Sequence, residues 1–377
     1  MAWLAPTPHT CDMHIRLYLI TILSMWLLPE PVSRGQSAFP TDLNSPPSFT
    51  WQKLETNTDA SFRGLCVVND DVFWISGSKG TVIRSIDGGK TFTDLSVQNA
   101  VERDFRDVHA FNENTAVVMN AGAPGVFFRT SDGGNNWSIV HNDLREDIFF
   151  DAMDFWDDQH GVAFGDPIDG RLVVLLTEDG GRSWKELDRE CQPKMMQGEA
   201  GFAASGSCIA AIGEETILIG TGGGLEGHSR PTSRLLVSHN QGRTWMDQHV
   251  PIIRNQSSGI FSLCKIRENT IIVVGGDYTQ PEKTSQNCAI SLTNEQLWKP
   301  ITAAPPSGFR SAVAASLVNE RMLVTAGTNG IDISMDQGLS WQRISDYASN
   351  AVALTPKRNA IITAGPNGSA YLGLPGF

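Results

Sequence analysis

The sequence predicts an all-β protein, a seven-bladed β-propeller closed by its N-terminal strand joining the C-terminal blade. Three observations carry this reading. A turn motif of the form Ser/Thr-x-Asp-x-Gly-x-Ser/Thr-Trp recurs, starting at residues 85, 130, 177, 238, 291 and 334. Each repeat opens on a similar apolar phrase, usually led by phenylalanine, and has a second apolar run and a Gly-rich turn before the motif. The two ends of the chain read as complementary fragments of one further repeat. A period of about 40–50 residues with four short strands per unit is the pattern of a propeller blade.

Residues 1–35 read as a secretory signal peptide. Arg16 precedes the apolar run Leu17 to Leu28, and Ser33 and Gly35 are small residues suited to cleavage after Gly35. Met13 is a second candidate start. Residues 36–48, rich in Pro and Ser, read as a flexible lead-in, and residues 49–377 as the propeller. Export, to a periplasmic or extracellular location, is therefore expected.

Within each repeat the innermost strand is expected at the opening phrase. These phrases are Phe62-Arg63-Gly64-Leu65, Phe105-Arg106-Asp107-Val108, Phe150-Asp151-Ala152-Met153, Phe202-Ala203-Ala204-Ser205, Ile260-Phe261-Ser262-Leu263 and Phe309-Arg310-Ser311-Ala312. The third strand runs into the turn motif and the fourth leaves it. In the motif the Asp carboxylate accepts backbone N–H groups further along the turn and stiffens it. Asp87, Asp132, Asp179, Asn240 and Asp336 are assigned that structural role. Trp137, Trp184, Trp245 and Trp341 anchor the outgoing strand. The fifth copy, Ser291 to Trp298, keeps only its first and last residues.

Asn350 to Leu354 and Ala360 to Gly368 begin a seventh repeat that stops without a motif, whereas Thr50-Trp51-Gln52-Lys53-Leu54 matches the exit of one. Joining them closes the ring and removes exposed strand edges. Two insertions, Thr221 to Pro231 and Gly275 to Lys283, are expected to decorate one face.

Composition narrows the function. A net charge of −12 over 377 residues argues against a phosphate-backbone partner. No CxxC or His/Cys cluster with ligand spacing is present, so no metal is expected. No strand–Gly-x-Gly-x-x-Gly–helix unit exists, so no nucleotide cofactor is expected either. Beyond the signal remain Cys66, Cys191, Cys208, Cys264 and Cys288, an odd number. Cys191 with Cys208, or Cys264 with Cys288, are candidate pairs in an exported protein.

The repeated turns resemble the Asp-box, or bacterial neuraminidase repeat, of sialidases and other propellers. The run from Phe62-Arg63-Gly64-Leu65 through Gly80-Thr81-Val82 to Asp87-Gly88-Gly89-Lys90-Thr91-Phe92 resembles the photosystem II stability/assembly factor family of seven-bladed propellers, over about residues 49–375. Exported bacterial homologues of that family are similar too. The resemblance implies an assembly chaperone that binds a membrane-protein precursor through surface arginines. Here only Arg63, Arg106 and Arg310 stand at repeated places in an acidic chain.

Those three arginines are the candidate binding groups, presenting guanidinium forks to a carboxylate at the channel mouth. Asp107, Asp151, Asp166 and Asp277 are placed around the same channel, where a buried Arg–Asp network is the competing explanation. The expected function is a non-catalytic, monomeric scaffold that binds or assembles a protein partner. The alternative is a glycoside hydrolase with a carbohydrate ligand at the same mouth. It would be sialidase-like or built on two carboxylates such as Asp151 and Asp166. A sialidase also needs an arginine triad and a Tyr–Glu pair, and the early Arg-Ile-Pro motif is absent.

Overall fold

The computed structural model of the chain describes residues 48–224, 232–267, 270–292 and 297–376. The expected signal peptide, residues 36–47 of the lead-in and residues 225–231 of the Gly-rich insertion lie outside the described residues. The strands form seven antiparallel sheets arranged as a seven-bladed propeller. Blade 1 comprises Phe62–Val67, Phe73–Gly77, Val82–Ser85 and Thr93–Asp94, from channel to rim. The innermost strands of blades 2 to 7 are Asp104–Ala110, Phe150–Phe155, Ile209–Ile212, Ser258–Arg267, Ala312–Ala315 and Ala351–Leu354.

Blade 4 departs from the expected register. Its inner strand is Ile209–Ile212, not Phe202 to Ser205. The upstream Glu199–Ala200 pairs instead with Gly222–Gly223, which also meets the inner strand of blade 5, giving that sheet six strands. The phrase led by Phe202 is thereby lifted out of the sheet and over the mouth of the channel. In blade 7 the outer strand is Phe49–Lys53, antiparallel to Ala370–Pro375 with Trp51 opposite Gly373. A Cβ on Gly373 would come within 2.9 Å of the Trp51 ring. This close approach requires glycine there.

Each gap between neighbouring blades holds its own apolar core. Trp74, Phe105 and Val118 fill the gap between blades 1 and 2, while Phe62, Ile75 and Ile362 fill that between blades 7 and 1. Alternation along each strand sends side chains to both faces, so every sheet feeds two cores.

The inner strands diverge around the channel and join through individual polar groups. Cys66 Sγ accepts from Ala110 N–H at 3.3 Å across blades 1 and 2. Asp107 accepts from Met153 N–H at 2.8 Å across blades 2 and 3, and Asp154 from Ala211 N–H at 2.8 Å across blades 3 and 4. Ser207 meets Ser262 Oγ at 2.7 Å, and Ser262 accepts from Val313 N–H at 2.9 Å. Ser311 Oγ donates to Asn350 O at 2.7 Å, and Asn350 Nδ2 donates to Phe62 O at 2.8 Å. The ring of braces is complete.

The turn motifs behave as hydrogen-bonded plugs. Thr177 Oγ1 accepts from Gly181 N–H at 3.0 Å and donates to Asp179 at 2.9 Å. Asp179 also accepts from the N–H and Oγ of Ser183, at 2.9 and 2.6 Å. The same pattern recurs around Asp87, Asp132 and Asp336. Asn240 reproduces it without a charge. Trp137 donates to Leu95 O, and Trp245 and Trp341 donate to the glycine carbonyl of their own turn. Trp184 packs edge-on against Phe127 instead.

All five described cysteines are free thiols. Register explains why Cys264 and Cys288 do not pair: Cys264 faces Ile272, whereas Cys288 faces Val274 of the same intervening strand. Two strand spacings put them about 9–10 Å apart, beyond the reach of a disulfide.

Replacing Asp179 with Ala should destabilise the protein by about 1–2 kcal/mol, since it strands the N–H groups of the turn; denaturant unfolding measures this. Deleting residues 1–53 removes the outer strand of blade 7 and exposes an edge. The melting temperature should then fall by several degrees and aggregation appear in gel filtration, whereas deleting residues 1–47 should change neither.

Candidate functional site at the channel mouth

Four inner strands carry a register shift at corresponding points, between Phe62 and Gly64, Phe105 and Asp107, Phe150 and Ala152, and Ile260 and Ser262. The residues bulged out there are Arg63, Arg106, Asp151 and Phe261. A bulge re-aims the side chain it carries, and all four line one cavity of about 400 Å³ at the end of the channel where the inner strands begin.

One wall of this cavity is charged. Arg106 donates from Nε to Asp104 at 2.6 Å and from Nη1 to Ala203 O at 2.8 Å. Arg63 has neither a hydrogen bond nor an ion pair among the described residues. Burial and then the like charge of Arg106 bring its pKa down to about 10, with Asp104 opposing. It stays protonated at neutral pH, as a partly desolvated cation without a counterion of its own.

Below the arginines sit two carboxyls. Asp151 is 1% exposed, and neither of its oxygens has a well-formed hydrogen bond. Burial, then the charge of neighbouring Asp166, hold it well above the usual carboxylate range. Asp166 accepts from Gly201 N–H at 3.1 Å. Burial pushes it up to about 6, while Gly201 and Asp151 pull the other way. A proton on Asp151 turns its contact with Asp166 into a hydrogen bond, the usual outcome when two carboxyls share a buried place.

The opposite wall is aromatic. Phe202, lifted there by the altered register of blade 4, stacks on Phe261 at 3.8 Å. Phe309 meets Phe261 edge-on at 4.7 Å, and Tyr278 meets Phe261 edge-on at 6.3 Å.

Three of the expected binding residues lie elsewhere. Arg310 is fully buried. Its guanidinium pairs with Asp332 at 2.5 Å and donates to Phe309 O at 2.7 Å and to Asn329. It presents no fork to the channel, because burial without Asp332 would strand its charge. It fixes the segment that carries Phe309. Asp277 is occupied by Thr279 and Gln280 of its own turn and by Ser257 and Asn255 of the turn before the inner strand of blade 5. Burial opposes these bonds, but they bring it down to about 2. Asp107 is the brace between blades 2 and 3, and burial raises it. It lines a separate cavity of about 560 Å³ at the far end of the channel. Glu199, beside the altered strand of blade 4, pairs with Arg234 at 2.5 Å. The structure thus brings together Arg63, Arg106, Asp151 and Asp166. The aromatic wall was missed, although its phenylalanines open three successive repeats.

The raised pKa of Asp166 has a consequence for stability. A carboxyl higher in the folded than in the unfolded chain contributes stability below about pH 4, which is lost as pH rises through about 6. Asp166→Asn should therefore raise the melting temperature by roughly 2–4 °C at pH 7.5 and leave it unchanged near pH 4. Thermal melts at the two pH values check this.

The family model of the Photosynthesis system II assembly factor YCF48 matches residues 43–146. The Photosystem II assembly lipoprotein Ycf48 of Synechococcus sp. (strain CC9902) is 26% identical over 174 residues, covering 45% of this chain. The match spans 47% of that relative, about half its length. Among solved structures, YCF48 bound to D1 peptide superposes with a TM-score of 0.60 at 15% identity, covering 90% of this chain and 100% of that one. YCF48 from Cyanidioschyzon merolae gives 0.58 at 16% identity, covering 86% and 98%. The chain shares the seven-bladed fold of YCF48, and its first two blades match the family model of that assembly factor.

Proposed function

We propose that the chain is an exported, non-catalytic propeller that captures a peptide segment of a protein partner in the pocket at the channel mouth. The observation that carries this is Arg63, a guanidinium with no hydrogen bond or ion pair among the described residues, beside Arg106 and opposite an aromatic wall. Paired guanidinium forks suit a peptide carboxylate, and Phe202, Phe261 and Phe309 suit an adjoining apolar side chain. A cavity of about 400 Å³ accommodates a residue or two of an extended chain. One structurally similar propeller is described as YCF48 bound to D1 peptide, which supports a protein segment as the ligand class. Export rests on the reading of residues 1–35 as a signal peptide, and the Synechococcus relative is named an assembly lipoprotein.

The arrangement supports binding over hydrolysis. Glycosidase carboxyls stand about 5 Å or more apart with the scissile bond between them, whereas Asp151 and Asp166 interact directly and share the floor. Tyr347 and Tyr371 stack on each other at 3.9 Å outside the cavity, and Tyr278 at its entrance packs edge-on against Phe261, with no glutamate among the described residues that line the cavity to activate it.

The test is fluorescence anisotropy with labelled peptides that end in a free carboxylate. Arg63→Ala with Arg106→Ala should weaken binding by about tenfold or more, the worth of a charged hydrogen bond, and added salt should weaken wild-type binding. The melting temperature should barely move. Unchanged affinity in the double variant removes the pocket as the site. Turnover of a 4-methylumbelliferyl sialoside that is lost in Asp151→Asn would replace this reading with the hydrolase.

A further inference from the structure

The pocket floor holds more acceptor oxygens than donors. Asp151 is buried with no well-formed hydrogen bond to either oxygen, its polar neighbours being Asp166 and the Ala203 N–H, and Asp166 accepts one N–H, from Gly201. Both face the cavity that Phe202, Phe261 and Tyr278 wall on the other side. Tyr278 is 52% exposed at the entrance.

We propose that the Asp151–Asp166 pair receives the cationic head of a lysine or arginine of the captured peptide, within a residue or two of the carboxylate held by Arg63 and Arg106. This rests on the pocket being the peptide site and adds which peptides it selects.

Buried acceptors without donors are costly. The empty protein limits that cost by keeping a proton on the pair. A neutral N–H leaves that proton in place, whereas an ammonium or guanidinium brings both donors and the opposite charge. The aromatic faces suit the aliphatic stem and attract the cation. The charges around the pair are Arg106, with Arg63 and Asp104 beyond it, and the Cys208 thiol lies near Asp151. The cavity therefore presents cations on one side and acids on the other, and its complement is a segment with opposite charges close together. A metal ion fits less well, because no cluster of three or more ligating side chains occurs among the described residues.

Seating the cation ionises Asp151, and its proton leaves to solvent. Isothermal titration at pH 7 tests this with three N-acetylated peptides. The first is Ala-Phe-Lys-Ala with a free C-terminus. The second has norleucine for lysine, and the third is the C-terminal amide of the first. The lysine peptide should bind about tenfold more tightly than the norleucine peptide, the worth of a charged hydrogen bond. Its enthalpy should differ between phosphate and Tris buffers in proportion to about one released proton. Asp151→Asn keeps the shape of the protonated acid, so lysine and norleucine peptides should bind this variant equally, each with buffer-independent enthalpy. Equal binding of the lysine and norleucine peptides with buffer-independent enthalpy overturns the proposal and leaves the carboxylate site standing. If the amide binds as well as the free acid, or no peptide binds, the peptide-carboxylate reading fails and this one with it.

Discussion

The structure depends on how seven sheets are held around a hole. Neighbouring inner strands fan apart and cannot share a backbone ladder, yet their N–H and C=O groups still need partners. The chain answers with one brace per junction, drawn from Cys66, Asp107, Asp154, Ser207, Ser262, Ser311 and Asn350. Each occupies the channel wall where a binding residue would also stand. Polarity in the channel is thus mostly architectural, and the groups left over after the ring is made are the informative ones. Arg63 and Asp151 are what remains, without well-formed hydrogen bonds among the described residues.

Burial gives those leftovers their character. In water a surface arginine next to another costs little, and a carboxyl stays ionised. In the mouth, desolvation lowers the pKa of Arg63 and raises those of Asp151 and Asp166. It also strengthens any complementary charge brought in from outside. A protein with a net charge of −12 so concentrates a local positive wall. Arg310 shows the contrasting solution, a guanidinium enclosed completely and neutralised by Asp332.

The blade count and the turn chemistry were legible in the sequence. The Asp–Gly turns, the anchoring tryptophans and the apolar runs act locally and repeat. The pairing of Phe49–Lys53 with Ala370–Pro375 followed from matching Thr50-Trp51 to the exits of the motifs. Arg63, Arg106, Asp151 and Asp166 were named from their place in the repeat, and the fold brings them together. Arg310 stands at the point of the repeat that Arg63 and Arg106 occupy, and Asp107 one residue further on, but their partners differ, and partners are set by tertiary contacts that spacing does not encode. Phe202 was misassigned for the same reason. Its strand lost to a competing pairing between Glu199–Ala200 and Gly222–Gly223, glycines that read as loop. The bulges that aim the site leave no mark in composition.

The ring joins at blade 7, and the pocket lies close to that seam. Asn350 of blade 7, Phe309 of blade 6 and Arg63 of blade 1 all line it. A ligand spanning these groups would hold the two chain ends in one closed loop, like a pin through a clasp. Occupancy and mechanical closure are thereby coupled. An empty propeller can open first at the blade made from both ends of the chain, whereas a filled one must release its guest before the hoop gives way.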